Sequence, residues 1–402
     1  MAKKSTKKTD KLQDDLDSIL ADTDGQTLRD AGKVPYFVDT GNLAINYCCS
    51  GKFMIGGFPG GRIIEAFGPE ASGKSLLGYC FLGSVQRMDG FAVLLDCERS
   101  SGDEFAERCG HVDADKLLTY SPITFQQVEK KIISVVNAIR KKYPDKPIGI
   151  VWDSIGVNTT DREWNETELP ENPTAAQIQN AGGNARPGER ARAAGDALRK
   201  LNPFLNENNA TLYIINQIRK KIGVMFGDPD TGAGGGEALK FYASMRFRTG
   251  APQKFTDKDT KMPLGVNMKI SNKKNRHNVP GLVAEKVPLF FDSGIHPTGG
   301  LLDILVKSGR VKSASGKGVY EFVEPYGEGT FRASMEKPLD PAIVIKNFKC
   351  VDAESEAEIE SYIKEWENAI QLADDESVVA ESTTEEAVGD MLGTASVGGV
   401  NS

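Results

Sequence analysis

A glycine-containing loop is the part of this 402-residue sequence whose spacing most directly specifies chemistry. The loop follows an apolar run and precedes a helical pattern, and it matches GxxxxGK[ST] at Gly68, Pro69, Glu70, Ala71, Ser72, Gly73, Lys74 and Ser75. Backbone N–H groups of such a loop wrap phosphate oxygens, and the helix N-terminus adds partial positive charge. We expect Lys74 to reach the β- and γ-phosphates and Ser75 to hold Mg²⁺. The loop therefore predicts a site for ATP and Mg²⁺.

Two carboxylates follow apolar runs elsewhere in the chain. Asp153 closes IGIVWD, and we expect it to bind Mg²⁺ through water; the alternative is an ordinary polar strand end. Glu98 comes just after FAVLLD, where open α/β sheets place their sites. It is the candidate general base that deprotonates the attacking water. The alternative for Glu98 is a surface pair with Arg99.

Gln217 ends another apolar run and is followed by a glycine-rich segment. A polar side chain in this place can sense the γ-phosphate and move the segment that follows, which would link ATP to a second ligand.

The apolar runs alternate with helical patterns such as Ser75–Arg87 and Thr124–Lys141. This order predicts an α/β fold with a largely parallel central sheet covered on both faces. We also predict a short N-terminal helix at Asp10–Thr23 and later strands that are antiparallel. The predicted strands are Arg62–Phe67, Phe91–Asp96, Ile148–Asp153, Thr211–Asn216, Ala243–Thr249 and Val266–Ile270.

We divide the chain into four parts: a basic segment with a docking helix (1–37), a core that carries the phosphate loop (38–299), a small C-terminal α/β domain (300–373) and an acidic disordered tail (374–402). Thr159–Arg192 and Arg219–Glu237 are long and polar or glycine-rich, which indicates loops that are either functional or disordered.

Charge is distributed unevenly over the chain. The net charge is −7, yet Val351–Ser402 carries 14 acidic residues against Lys364 alone, which leaves +6 for the remainder. A mildly basic body with an acidic tail fits a nucleic-acid binder; the alternative is a tail that only aids solubility. No apolar run spans a membrane and no signal peptide is evident, so we expect no membrane partner. Six cysteines without CxxC spacing favour the reducing cytoplasm.

Four segments together resemble the bacterial RecA recombinase family: DTGNLAIN (Asp39–Asn46), GRIIEAFGPEASGKS (Gly61–Ser75), WDSIG (Trp152–Gly156) and INQIRKKIGVMFGDPDTGAGGGEALKFYAS (Ile215–Ser244). The resemblance extends from about Val38 to about Leu305. The last segment is the most specific, because it corresponds to the second DNA-binding loop of the family. The unusual first loop is consistent with a bacteriophage-encoded member.

The resemblance implies roles for individual residues. It implies that Glu98 is the catalytic glutamate, Gln217 the γ-phosphate sensor and Phe105 the ring that stacks on adenine. Lys274 and Arg276 would reach the phosphates of a neighbouring subunit, with Arg in place of the usual Lys at the second position. Lys240 and Phe241 would lie in the subunit interface. The implied DNA-binding residues are Arg192, Arg199, Arg219, Lys221, Ile222, Gly235 and Gly236.

The implied activity is a DNA-dependent ATPase that forms filaments on single-stranded DNA and exchanges homologous strands in recombination and repair. The implied partners are single- and double-stranded DNA, further copies of the chain, and single-strand-binding and mediator proteins. The location would be the cytoplasm, at the nucleoid, or the host cytoplasm for a phage protein. A hexameric helicase on the same fold and an ATP-switched recombination regulator without exchange activity remain the alternatives. A small-molecule kinase is disfavoured, because neither an acceptor pocket nor a lid is evident.

Overall fold

The computed structural model describes residues 14–23, 25, 27, 32–166, 188–220, 230–232, 236–257, 259–365 and 367. The chain divides into two compact units, before and after Phe37. In the first unit, residues 14–22 form helix α1, within the predicted N-terminal helix. Two apolar side chains of α1, Leu16 and Ile19, are 41% and 58% exposed, so their surfaces are accessible to solvent.

The second unit contains the remaining described elements. Its helices are α2 (Leu43–Ser50), α3 (Lys74–Arg87), α4 (Asp103–Gly110), α5 (Phe125–Lys142), α6 (Asp161–Glu166), α7 (Glu189–Glu207), α8 (Gly236–Tyr242), α9 (Leu301–Lys307), α10 (Pro341–Lys346) and α11 (356–365). Its strands are β1 (Phe37–Val38), β2 (Phe58–Pro59), β3 (Ile63–Gly68), β4 (Phe91–Asp96), β5 (Leu118–Tyr120), β6 (Ile148–Asp153), β7 (Ala210–Lys220), β8 (Asp230–Gly232), β9 (Met245–Thr249), β10 (Gln253–Thr256), β11 (Pro263–Asn275), β12 (Val283–Phe290), β13 (Gly294–Ile295), β14 (Val311–Ser313), β15 (Val319–Phe322) and β16 (Thr330–Arg332).

A large mixed sheet organises the second unit. Its strands run in the order β13-β12-β11-β9-β3-β7-β6-β4-β5, with β10 paired to β11 and β8 paired to β7. Neighbours from β9 to β5 are parallel, whereas β11, β12 and β13 add antiparallel strands at one side. The carboxyl ends of the parallel strands therefore meet along one edge, where the polar residues predicted from sequence lie.

Helices cover both faces of the parallel strands. Helix α5 begins at Phe125, and the preceding Thr124 caps it by accepting the N–H of Gln127 with its side chain. The apolar residues of α5 recur at helical spacing. Together with α7, helix α5 buries a core over one face, which includes Val128, Ile132, Leu198 and Trp152. Helix α3 packs on the opposite face, where Phe81 stacks on Tyr213. This two-sided burial explains why the parallel strands consist of nearly continuous apolar residues.

The sequence predictions and the structure agree on the fold class. The predicted strands Phe91–Asp96 and Ile148–Asp153 match β4 and β6 residue for residue. The prediction for the later strands was incomplete, because β9 pairs parallel with β3 while β11 and β12 are antiparallel. The polar segment after Gln217 also differs from prediction, since β7 continues to Lys220 and pairs with β8. Backbone pairing extends this strand without the apolar pattern on which the prediction relied.

The C-terminal part contains a smaller antiparallel sheet of β14, β15 and β16. The Arg310 side chain, 9% exposed, bonds the carbonyl of Cys350 and both carboxylate oxygens of Asp352. Its guanidinium also lies over the rings of Phe53 and Tyr326. This cation therefore joins the small sheet to the first part of the core. None of the described helices is long and apolar enough to span a membrane.

Candidate nucleotide site

The candidate site lies where β3, β4 and β6 end, beside Gln217 of β7. In the register of the sheet, Gly68 of β3 lies opposite Gln217 of β7, and Asp96 of β4 lies opposite Asp153 of β6. The loop after β3, the turn after β4 and the end of β6 therefore share one edge. The structure thus brings together Lys74, Glu98, Asp153 and Gln217, as the sequence predicted.

The loop from Gly68 to Gly73 is held by close packing. A Cβ atom at Gly68 would lie 2.0 Å from Oγ1 of Thr249, so only glycine fits at this position. The Ser72 hydroxyl hydrogen-bonds the Thr249 hydroxyl at 2.7 Å and also donates to the carbonyl of Pro69. Gly73 has φ +86° and begins α3, with no side chain capping the first N–H groups of the helix. These N–H groups can bind phosphate oxygens.

The Lys74 side chain is buried against this loop. It is 6% exposed, and its ammonium donates to the carbonyl of Pro69. Burial lowers the pKa of Lys74, while the carboxylates of Asp153, Glu98 and Glu70 oppose that shift. A triphosphate in the loop would add negative charge beside this ammonium and favour its charged form.

Ser75 and Asp153 place two oxygen atoms close together that could hold a metal ion. The Ser75 hydroxyl donates to Oδ2 of Asp153 at 2.7 Å. Burial raises the pKa of Asp153 to about 6; the Ser75 hydrogen bond opposes this shift, and the nearby carboxylates of Glu98 and Asp96 add to it. A hydroxyl and a carboxylate beside a phosphate-binding loop suit Mg²⁺, which takes its other ligands from water and phosphate. The residues present therefore fit an ATP·Mg²⁺ complex.

The turn after β4 positions Glu98. The N–H groups of Cys97 and Glu98 donate to the carbonyl of Asp153, at 2.7 and 3.3 Å. The same turn is closed by the Asp96 carboxylate, which accepts the N–H groups of Ser100 and Ser101. Glu98 is thereby attached to the neighbouring strand rather than left in an open loop.

The Glu98 carboxylate connects β6 with β7. Its Oε1 atom accepts a hydrogen bond from the Ser154 hydroxyl and another, at 3.3 Å, from the amide of Gln217. Sequence analysis identified Glu98 and Gln217 but missed Ser154. Its position directly after Asp153, at the carboxyl end of a buried strand, was the available signal.

Phe105 lies on α4, beside the phosphate-loop helix α3. Its ring meets that of Tyr79 edge to face, with centroids 6.4 Å apart, and its side chain is 37% exposed. The ring therefore keeps an accessible face near the site, as adenine stacking would require.

Comparison with known proteins identifies the family. The model of the RecA N-terminal domain matches residues 28–163 and 169–296. The RecA protein of Corynebacterium urealyticum is 34% identical over 296 residues, which cover 74% of this chain and 72% of that protein. RecA of Corynebacterium jeikeium is 32% identical over 355 residues, which cover 88% of this chain and 82% of that protein. RecA of Mycobacteroides abscessus is 33% identical over 344 residues, which cover 85% of this chain and 87% of that protein. The chain belongs to the RecA family.

The cations expected to act across a subunit boundary of this RecA-family chain lie at the end of β11. Lys274 donates to the carbonyl oxygens of Lys240 and Phe241, at 2.8 and 2.9 Å, and so caps the last turn of α8. Arg276 is exposed. Lys240 pairs with Glu237 within α8, and the Phe241 ring is 68% exposed. An exposed phenylalanine beside two cations is consistent with a subunit interface, and that role remains a proposal.

The expected DNA-binding residues are only partly within the described structure. Arg192 and Arg199 are exposed on α7, and Arg199 forms an ion pair with Asp196. Gly236, with φ +54°, begins α8. The backbone of Arg219 lies in β7. Lys221, Ile222 and Gly235 lie outside the described residues, as does most of the first loop, 167–187.

Proposed function

We propose that this RecA-family chain is a DNA-dependent ATPase that forms filaments on single-stranded DNA and catalyses homologous pairing and strand exchange. In this proposal ATP is hydrolysed with Mg²⁺, and filament formation brings further copies of the chain together. Double-stranded DNA is the second nucleic-acid partner, and single-strand-binding and mediator proteins act as accessory partners. The site of action would be the cytoplasm, at the nucleoid or in the host of a phage.

One arrangement carries this proposal. Gln217 donates to Glu98 at the nucleotide edge, and the same strand continues into the β7–β8 pairing that precedes α8. A side chain that responds to the γ-phosphate therefore lies in the strand that leads directly to the segment expected to bind DNA. Binding at either end of such a strand can bias the other.

Each residue of the site has a role in the proposed hydrolysis. The loop N–H groups and Lys74 hold the phosphates. Ser75 and Asp153 would hold Mg²⁺, which would neutralise negative charge on the phosphates. Glu98, oriented by Ser154 and Gln217, accepts a proton from the water that attacks the γ-phosphorus, while the bond from that phosphorus to ADP breaks and ADP leaves. We propose that Lys274 and Arg276 of one subunit approach the phosphates of the next.

Strand exchange tests this function directly. The protein is loaded with ATP and Mg²⁺ on a labelled single strand, homologous or heterologous duplex is added, and exchange is followed by FRET. We expect exchange with homologous duplex alone, and we expect Lys74→Ala to abolish it. Lys116→Ala is the matched control, because it removes an ammonium from an exposed pair with Asp113 and leaves the phosphate loop unchanged.

Other outcomes would favour the alternatives. ATP hydrolysis that rises with single-stranded DNA, without exchange, would support a hexameric helicase or a regulator. A helicase would in addition unwind duplex DNA that carries a single-stranded tail. If single-stranded DNA did not stimulate hydrolysis and no strand exchange occurred, only the ATP-binding role would stand, and the proposal would be refuted.

A further inference from the structure

A buried polar cluster lies near the nucleotide edge, on the face of the sheet opposite α3. It consists of Glu65 on β3, Asn216 on β7 and Arg246 on β9, and we call it the Glu65 cluster. The Glu65 side chain is 1% exposed and that of Arg246 is 13% exposed. Glu65 lies opposite Arg246 in the register of β3 and β9. The three residues thus link three neighbouring parallel strands.

The Glu65 carboxylate holds a different strand with each of its oxygens. Oε1 accepts a hydrogen bond of 2.9 Å from the Asn216 amide, and Oε2 accepts one from Nε of Arg246. The Arg246 guanidinium also lies 4.8 Å from the ring centre of Phe67. A buried ion pair adds little net stability compared with a well-packed apolar pair. Stability alone therefore does not account for these charges in the middle of a sheet.

One end of the cluster reaches the nucleotide edge. Asn216 is followed in β7 by Gln217, whose amide donates to Glu98. Side chains alternate between the two faces of a strand, so Gln217 points toward the nucleotide edge while Asn216 points into the cluster. Any shift of β7 that lets Gln217 follow a phosphate must therefore change the hydrogen bond between Asn216 and Glu65.

The other end of the cluster reaches α8. Arg246 of β9 lies opposite Lys274 of β11 in the register of these two strands. Burial lowers the pKa of Lys274, the charges of Arg276 and Arg246 lower it further, and the charge of Glu65 opposes them. Lys274 in turn holds the last carbonyl oxygens of α8, those of Lys240 and Phe241. The charges of Glu65 and Arg246 therefore both act on Lys274, the cation that holds the end of α8.

We propose that Glu65 is a positioning residue that couples the nucleotide site to α8 through Asn216 on one side and Arg246 on the other. Glu65 contacts neither the phosphate loop nor Lys274 directly in this arrangement; it acts by fixing β7 and β9 relative to each other. The inference rests on the proposed function, in which Gln217 senses the γ-phosphate and α8 lies at the subunit boundary.

The test compares hydrogen exchange in α8 with two nucleotides, without DNA. The full-length protein with Mg²⁺ is saturated with ADP or with ATPγS, and exchange is measured for a peptide covering 236–242. Allosteric coupling of this kind corresponds to a factor of about 5 to 150. We expect the wild-type exchange rates to differ by at least about fivefold between the nucleotides, within that range.

Two variants separate coupling from folding. Glu65→Gln keeps an acceptor for Asn216 but leaves Arg246 without a negative partner. The double variant Glu65→Gln/Arg246→Met removes both charges, so no unpaired buried ion remains. We expect the double variant to unfold at the wild-type temperature and to bind a fluorescent ATP analogue with wild-type affinity, while the exchange difference falls below about twofold. Glu285→Gln, in the exposed pair with Lys269, is the matched control and should behave as wild type.

Either of two results overturns the inference. The first is a stably folded double variant that keeps the full wild-type difference in α8. The second is a wild-type protein in which α8 responds identically to both nucleotides. Stimulation of hydrolysis by single-stranded DNA, measured on the same preparations, tests the proposed function separately, because the exchange experiment contains no DNA.

Discussion

Replacement of Gly68 by alanine tests whether packing against β9 shapes the phosphate loop. The added Cβ would lie 2.0 Å from Oγ1 and 2.6 Å from the carbonyl oxygen of Thr249. The hydroxyl could rotate away, but it would then lose its hydrogen bond to Ser72. The carbonyl cannot rotate, because it belongs to the backbone of β9. The loop and the strand must therefore move apart.

The expected loss of stability follows from these contacts. Overpacking in a well-packed region costs about 1–3 kcal/mol, and loss of the Ser72–Thr249 hydrogen bond costs about 1 kcal/mol. The reduced freedom of alanine in the unfolded chain returns about 0.4–1 kcal/mol. We therefore expect Gly68→Ala to lower the free energy of unfolding by about 1–3.6 kcal/mol and to weaken ATP binding.

Urea unfolding followed by circular dichroism measures the first quantity, and titration with a fluorescent ATP analogue measures the second. Gly102→Ala is the matched control, since a Cβ there has no atom within 4 Å, and it should change stability by no more than about 0.5 kcal/mol. Adding Thr249→Ala to Gly68→Ala relieves only the hydroxyl contact, so recovery should be partial. The reasoning is refuted if Gly68→Ala is as stable as Gly102→Ala.

Three further predictions concern other parts of the chain. Glu98→Gln should lower kcat for ATP hydrolysis by about 10²–10⁴-fold with little change in affinity for an ATP analogue; a loss under tenfold would exclude Glu98 as the base. Phe241→Ala should change the free energy of unfolding by less than about 0.5 kcal/mol, because its ring is 68% exposed, yet weaken ATP-dependent self-association in sedimentation velocity; unchanged assembly would contradict an interface role. Arg310→Lys should cost about 1.5–3 kcal/mol in urea unfolding, because lysine cannot reproduce the fork that binds Asp352 and the Cys350 carbonyl; wild-type stability would show that the fork contributes nothing.

The nucleotide edge could be predicted from sequence because its signals are local. The phosphate loop is contiguous, and Asp153 and Gln217 each end an apolar run whose direction is set by the parallel sheet. Glu98 follows a third run in the same way. Once the strands are parallel, their ends must meet, so the grouping of these residues required no knowledge of strand order.

Contacts between strands distant in sequence could not be predicted in this way. Glu65 and Arg246 are separated by 181 residues and sit inside apolar patterns that indicate strands but not their neighbours. Only the order β9-β3-β7 brings them together. The β7–β8 pairing was missed for a related reason, because a strand stabilised by backbone bonds between polar residues has no apolar period.

The charges at the nucleotide edge support a site that is complete only in an assembly. Asp153 is acted on by the carboxylates of Glu98 and Asp96 and by the ammonium of Lys74. Within this group three carboxylates face one cation, so a triphosphate would meet net repulsion from the side chains of a single chain. Bound Mg²⁺ would offset part of that repulsion, and the negative charge that develops in the transition state requires further positive charge. Lys274 is bound to the end of α8 in every copy of the chain, whereas Arg276 is exposed, so we expect Arg276 of a neighbouring subunit to supply this charge. This argument predicts that hydrolysis per subunit rises with protein concentration at saturating ATP, and a rate independent of concentration across the assembly range would refute it.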